Sequence, residues 1–110
     1  SRTVRTKYGD LSGVIVNPES RHLSPVEVYR GIPYASAPVG NLRFMPPVTG
    51  ALWSGTKVAD RFSPVCPQKL PNLHNETLAL KKMPKGRIEF LKRLLPYLRN
   101  QSEDCLYLNI

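Results

Sequence analysis

The sequence predicts an α/β chain, and three observations carry that expectation. Short runs towards both ends alternate apolar with polar residues, which is the period of a strand. Residues 75–99 place their apolar side chains at helical spacing instead. Between the first strands and the helices, residues 33–71 meet a turn former every few positions and hold many of the 11 prolines, so irregular backbone joins the regular elements.

In chain order, residues 3–16 read as a hairpin. Val4, Thr6 and Tyr8 alternate with Arg5 and Lys7, and Gly9-Asp10 then turns the chain into a second strand over 11–16. After a polar loop, 17–24, a strand over 26–32 sets Val26, Val28 and Ile32 on one side, and Pro33 ends it or marks an edge. In the irregular segment Phe44, Trp53 and Phe62 are spaced too unevenly for any stripe. Isolated loop aromatics usually pack, so these three are expected to pin the loops to a core. Residues 76–83 make two helical turns stopped by Pro84 and Gly86. A second helix, 87–95, carries Ile88, Leu91, Leu94 and Leu95 on one face, and Pro96 should end or kink it. Residues 106–110 alternate again, so the chain stops inside a strand; it also opens on Ser1 in place of Met. The expectation is therefore that residues 1–110 form part of one larger, incomplete domain.

Composition removes several classes of function. With 41% hydrophobic and 22% charged residues the chain is globular in type, which excludes wholesale disorder and collagen-like or mucin-like structure. No apolar run reaches the length of a membrane span, and no signal-peptide pattern opens the chain. A net charge of +8 favours acidic partners, yet no nucleic-acid motif accompanies it, so no nucleic-acid partner is expected. Lys81, Lys82, Lys85, Arg87, Lys92, Arg93 and Arg99 lie opposite the apolar helix face, where a solvated surface places its charges; an anion-binding patch is the rival reading.

Catalytic chemistry is hard to build from these residues. A serine hydrolase of the α/β type needs its nucleophile in Gly-x-Ser-x-Gly and a glycine-rich oxyanion loop, and neither pattern occurs. Ser12-Gly13 and Ser54-Gly55 read as turns. His22 and His74 sit in polar loops with no partner nominated by the sequence, and two cysteines with two histidines make no ligand spacing, so neither a metal nor a cofactor is expected. Cys66 and Cys105 can form one disulfide in an oxidising compartment. Closing a loop of about 40 residues restricts the unfolded chain by about 4 kcal/mol. Two sequons, Asn75-Glu76-Thr77 and Asn100-Gln101-Ser102, point with the cysteine pair to a secretory compartment.

Larger motifs extend this reading. Gly31-Ile32-Pro33-Tyr34-Ala35, Pro38-Val39-Gly40-Asn41-Leu42-Arg43-Phe44, Pro46-Pro47 and Trp53 resemble the N-terminal signature of type-B carboxylesterases and cholinesterases. Glu103-Asp104-Cys105-Leu106-Tyr107-Leu108-Asn109-Ile110 resembles that family's second signature. Inside the cysteine-bounded stretch, Met83-Pro84-Lys85-Gly86-Arg87, Leu91-Lys92-Arg93-Leu94-Leu95-Pro96 and Asn100-Gln101-Ser102 are most similar to the neuroligin branch, insect members above all.

The resemblance implies the N-terminal portion of an α/β-hydrolase fold in a cholinesterase-like synaptic adhesion protein. Such a protein has an extracellular domain on a single membrane span, or a secreted form, and no hydrolase activity. It dimerises with itself and binds neurexin with calcium at the interface. Residue by residue, the resemblance implies a Cys66–Cys105 bridge, an Arg43–Glu103 salt bridge and glycans on Asn75 and Asn100. Cholinesterases carry a choline-binding tryptophan between these cysteines; here the aromatics are Phe90 and Tyr97, which helix spacing assigns to packing. The oxyanion loop, triad, dimer helices and partner surface of the family lie beyond Ile110. The chain alone is therefore expected to hydrolyse no ester, to bind no neurexin and to expose an unpaired strand edge. Two rivals remain: part of an active type-B carboxylesterase, and a truncated product whose basic helical face binds anionic glycans.

Overall fold

A computed structural model describes residues 2–110. The chain forms two units, one of residues up to Ser63 together with Asp104–Ile110, the other of Pro64–Glu103.

In the first unit β1 (Thr3–Thr6) and β2 (Gly9–Ser12) pair antiparallel with Thr6 opposite Gly9, so the turn is Lys7-Tyr8 and comes two residues earlier than expected. Thr6 places it there. Its Oγ1 donates to the Gly9 carbonyl at 2.7 Å and accepts from the N–H groups of Tyr8 and Gly9 at 3.2 and 3.3 Å. The expected strand over 11–16 breaks at Gly13, where a Cβ would strike the Val28 carbonyl and the Tyr29 ring. Beyond it β3 (Val14–Val16) joins a different sheet, antiparallel to β4 (Val26–Val28). The free edge of β2 takes β6 (Thr56–Val58) as a parallel neighbour.

The expected strand over 26–32 is also interrupted. Gly31 has φ +72, a left-handed conformation that a Cβ disfavours, and the chain resumes as β5 (Ile32–Pro33), with Pro33 inside the pairing. Its antiparallel partner is β7 (Tyr107–Leu108). The ladder extends at both ends: Tyr29 and Ile110 exchange N–H to carbonyl bonds of 2.8 Å each, and Tyr34 N–H donates to Leu106 at 3.2 Å. Consequently Tyr29 enters the core, and of the expected Val26, Val28 and Ile32 stripe only Ile32 packs against it. Tyr29 is buried with Leu11 and Ala59, and Ile32 and Trp53 pack against them.

Of the three loop aromatics only Trp53 behaves as expected. Its indole lies on Gly9, where a Cβ would overlap it, its backbone N–H donates to Tyr8 and its Nε1 to the Asp10 carbonyl at 3.0 Å. Phe44, at φ +60, is 95% exposed under the Arg43 guanidinium, and exposed Phe62 carries Arg30 over its ring at 4.9 Å. The intervening segment is irregular as predicted, apart from β6 and a 3₁₀ turn at Gly40–Leu42.

The second unit follows its sequence period closely. Helix α1 (Glu76–Lys82) starts on the Asn75 cap, whose Oδ1 accepts from Leu78 N–H at 3.3 Å. Helix α2 (Lys85–Leu98) follows after Met83 and Pro84. Ile88 is fully buried among Leu73 and Ala79, with Met83, Leu91 and Leu95 against them. Pro96 lies inside α2 and does not end it. So close to the C-terminus one helical bond is lost, while half-buried Leu95 and Leu98 hold the last turn and Gln101 Nε2 donates to the Leu98 carbonyl at 3.1 Å. Phe90 and Tyr97 face outward at 55% and 67% exposure, correcting the expectation that they pack.

Two of the left-handed glycines, Gly31 and Gly55, differ in surroundings. A Cβ on Gly31 would meet the Arg61 carbonyl at 2.6 Å and Ser63 Oγ at 2.7 Å, whereas one on Gly55, φ +75, meets nothing within 4 Å. Gly31→Ala should therefore cost about 2 kcal/mol or more and Gly55→Ala about 1 kcal/mol, read from urea unfolding midpoints. Equal losses would contradict the packing assigned to Gly31.

Candidate functional site

The groups from which a hydrolase would be assembled are each engaged in structure or isolated. Ser12 closes β2, opposite Thr3 on one side and Val58 on the other. Ser54 precedes the Gly55 turn. His22 lies in an exposed turn of the first unit; exposed His74 belongs to the second, with its backbone N–H on Asn72 Oδ1 at 3.1 Å. Among the described residues no cluster of His, Cys, Asp and Glu has the makings of a metal site, and no helix is long and apolar enough to cross a membrane.

Two concavities among the described residues bear on function. In the first unit a cleft of about 330 Å³ is lined by Tyr34, Ser36, Trp53, Lys57, Asp104 and Tyr107 among others. Several of its polar groups are already engaged. Ser36 Oγ donates to the Thr49 carbonyl at 2.9 Å, Tyr107 O–H donates to Asp104 Oδ2 at 3.0 Å, and Lys57 Nζ sits 4.8 Å from the Trp53 ring centre. Burial raises the Tyr107 phenol above its ordinary 10.0, and the hydrogen bond and charge of Asp104 raise it further. The phenol is thus held neutral, and the serine hydroxyl is spent on a carbonyl. Neither is an activated nucleophile: the Asp104 carboxylate and burial make the phenol harder to deprotonate, and the serine's partner is a carbonyl that takes no proton.

In the second unit a groove of about 670 Å³ runs beside the helices, with Leu78, Met83, Leu91, Leu94 and Leu98 as its apolar lining. Lys69, Lys82, Arg87 and Asn75 also line it. Lys92 Nζ lies 3.8 Å from Glu76 Oε2, and both are about half exposed. The basic residues of α1 and α2 are exposed throughout.

The residues singled out by sequence are placed as follows. Cys66 and Cys105 are both disulfide-bonded, and no cysteine is free. Asn75 is the exposed cap of α1, and exposed Asn100 follows α2, its carbonyl accepting from Val65 N–H at 2.9 Å. Arg43 is exposed beside Phe44, and Glu103 is exposed. Sequence reasoning missed the Asp104–Tyr107 pair. Its signal was an acid three residues before a tyrosine within one motif.

Residues 1–110, the whole chain, match the sequence model of the carboxylesterase family. Neuroligin-1 of Caenorhabditis elegans is 47% identical over 111 residues, covering 99% of this chain. Human Neuroligin-3 is 40% identical over 108 residues and human Neuroligin-2 is 41% identical over 107, covering 98% and 97% of the chain. The chain spans 14% of the length of the worm protein and 12% of each human one.

Two outcomes test this geometry. Because the folded chain holds the Tyr107 proton more tightly than the unfolded chain does, the stability from that phenol is complete below about pH 10 and is lost as the pH rises through its raised folded value. Asp104→Asn should move the phenol's ultraviolet titration midpoint back towards 10.0, leaving the part due to burial. An unmoved midpoint contradicts the pairing. Replacing Cys66 and Cys105 by Ala should lower the unfolding free energy by about 4 kcal/mol, and identical urea midpoints would refute the staple.

Proposed function

The chain belongs to the carboxylesterase family, and from that premise we propose that it is the N-terminal segment of a neuroligin-like cell-adhesion protein. Family membership implies the α/β-hydrolase fold. The adhesion reading rests on one observation: the 47% identity to a neuroligin runs across 99% of the chain and so includes the helical stretch between the cysteines. The parent protein presents this domain outside the cell, on a single membrane span, as a homodimer without hydrolase activity. It binds neurexin with calcium at the interface. The disulfide agrees with that compartment.

The same reading carries glycans on Asn75 and Asn100 and an Arg43–Glu103 salt bridge. As both partners of that bridge are exposed in this chain, a double-mutant cycle on it should give a coupling of about 0.5 to 1 kcal/mol, in place of the several expected of a buried pair. A coupling indistinguishable from zero removes the bridge.

The rival is an active type-B carboxylesterase, favoured by the name of the family itself. Two assays on the complete ectodomain decide between them. Saturable, calcium-dependent binding to immobilised neurexin with no turnover of a nitrophenyl ester is the expected result. Turnover above a heat-killed control, without binding, establishes the enzyme. The 110-residue chain alone should turn over no ester, since the serines and histidines it holds form no triad.

A further inference from the structure

We propose that an N-linked glycan on Asn75 folds back over the apolar groove of the second unit and is its cover. This rests on the extracellular reading above and goes beyond it, by giving one of the two sequons a structural task. Three observations converge on Asn75. It opens the sequon Asn75-Glu76-Thr77. It lines the groove whose lining includes Leu78, Met83, Leu91 and Leu94. Its carboxamide is oriented, because Oδ1 accepts from Leu78 N–H at the start of α1, and Nδ2 has no hydrogen-bond partner among the described residues.

That orientation makes modification and helix capping compatible. Glycosylation forms a bond between Nδ2 and C1 of an oligosaccharide donated by a lipid diphosphate; the C1–O bond to phosphate breaks, Nδ2 loses one proton and the lipid diphosphate departs. The product is a secondary amide that keeps its carbonyl oxygen, so Oδ1 continues to cap α1. The first sugar is thereby tethered at the edge of an apolar groove. A pyranose has a C–H face that covers Leu and Met side chains, and hydroxyls that meet water or the polar rim, where Gln68, Lys82 and Arg87 stand. An exposed apolar groove left bare on a secreted domain invites association. Asn100 offers the contrast: it lines neither concavity, so a glycan there leaves the groove open.

The chain carries its own reporter. Its two methionines are Met83, which lines the groove, and Met45, which is exposed in the first unit. The protein secreted from eukaryotic cells is treated with dilute peroxide, and sulfoxide formation at Met83 relative to Met45 is followed by peptide mapping. Thr77→Ala removes the sequon but keeps the Asn75 cap, and Asn75→Asp keeps a capping oxygen without a glycan. Both should oxidise Met83 several-fold faster than the glycosylated chain, whereas Asn100→Gln should leave its rate unchanged. Equal Met83 rates in the wild type and in both sequon variants, with Asn75 fully occupied, overturn the proposal. So does an unoccupied Asn75 beside an occupied Asn100, an outcome that leaves the extracellular reading standing. A chain retained in the cell with both sites empty overturns the two together.

Discussion

Everything in the first unit depends on the return of residues 106–110 to residues 29–34. Tyr29 and Ile110 exchange two hydrogen bonds, Gly31 N–H donates to Asn109 Oδ1 at 2.9 Å across 78 positions of sequence, and Tyr34 reaches Leu106. Bringing such distant segments together costs about 4 kcal/mol of loop-closure entropy. These four hydrogen bonds and the β5–β7 pairing, at about 1 kcal/mol per bond, offset that cost. Further stabilisation comes from elsewhere. Burial of Leu11, Tyr29 and Ala59 supplies part of it, and a disulfide that closes about half of the same loop removes part of the closure entropy from the unfolded chain. A core of three buried residues is small, which makes the covalent contribution proportionally large.

The two signatures that identify the family are, in structure, the two sides of this closure. Gly31 belongs to the first and Asn109 to the second; Tyr34 belongs to the first and Leu106 to the second. Gly31 is needed because its left-handed backbone sits against Arg61 and Ser63 while presenting its N–H to Asn109. What sequence reading takes as two separate motifs is therefore one pairing device, with Asp104 and Tyr107 completing it beside β7. Neither motif alone signals this, because the pairing is between residues too far apart for any local period to register.

The same distinction explains what was legible. Helical spacing located α1 and α2 to within a few residues, since Ile88, Leu91 and Leu95 must share a face whatever else the chain does. The cost of Pro96 was overestimated, because a proline near a helix end removes one bond that the side chain of Gln101 and the packing of Leu98 offset. Strands were read less well. Gly13 and Gly31 cut two expected strands at points set by tertiary approach of the Tyr29 ring and the Arg61 carbonyl, which no alternation of apolar residues foretells. Strand β6 escaped for a plainer reason. Its three residues are all exposed and it is held by backbone pairing to β2, so it has no buried face for the sequence to encode.

The cleft and the groove differ in how much chemistry they leave unspent. In the cleft, Ser36, Tyr107, Asp104 and Lys57 each have a partner within the same unit, and a group already satisfied in the ground state has no proton or charge to offer a reacting molecule. The cleft is consequently a joint in the scaffold, and a scaffold of this kind can carry either an esterase or an adhesion protein without altering these residues. In the groove the apolar surface has no such internal partner, and Asn75 Nδ2, at its lining, has no hydrogen-bond partner among the described residues. The distinguishing chemistry of this chain thus lies between the cysteines, in the same helical stretch that its neuroligin relatives span.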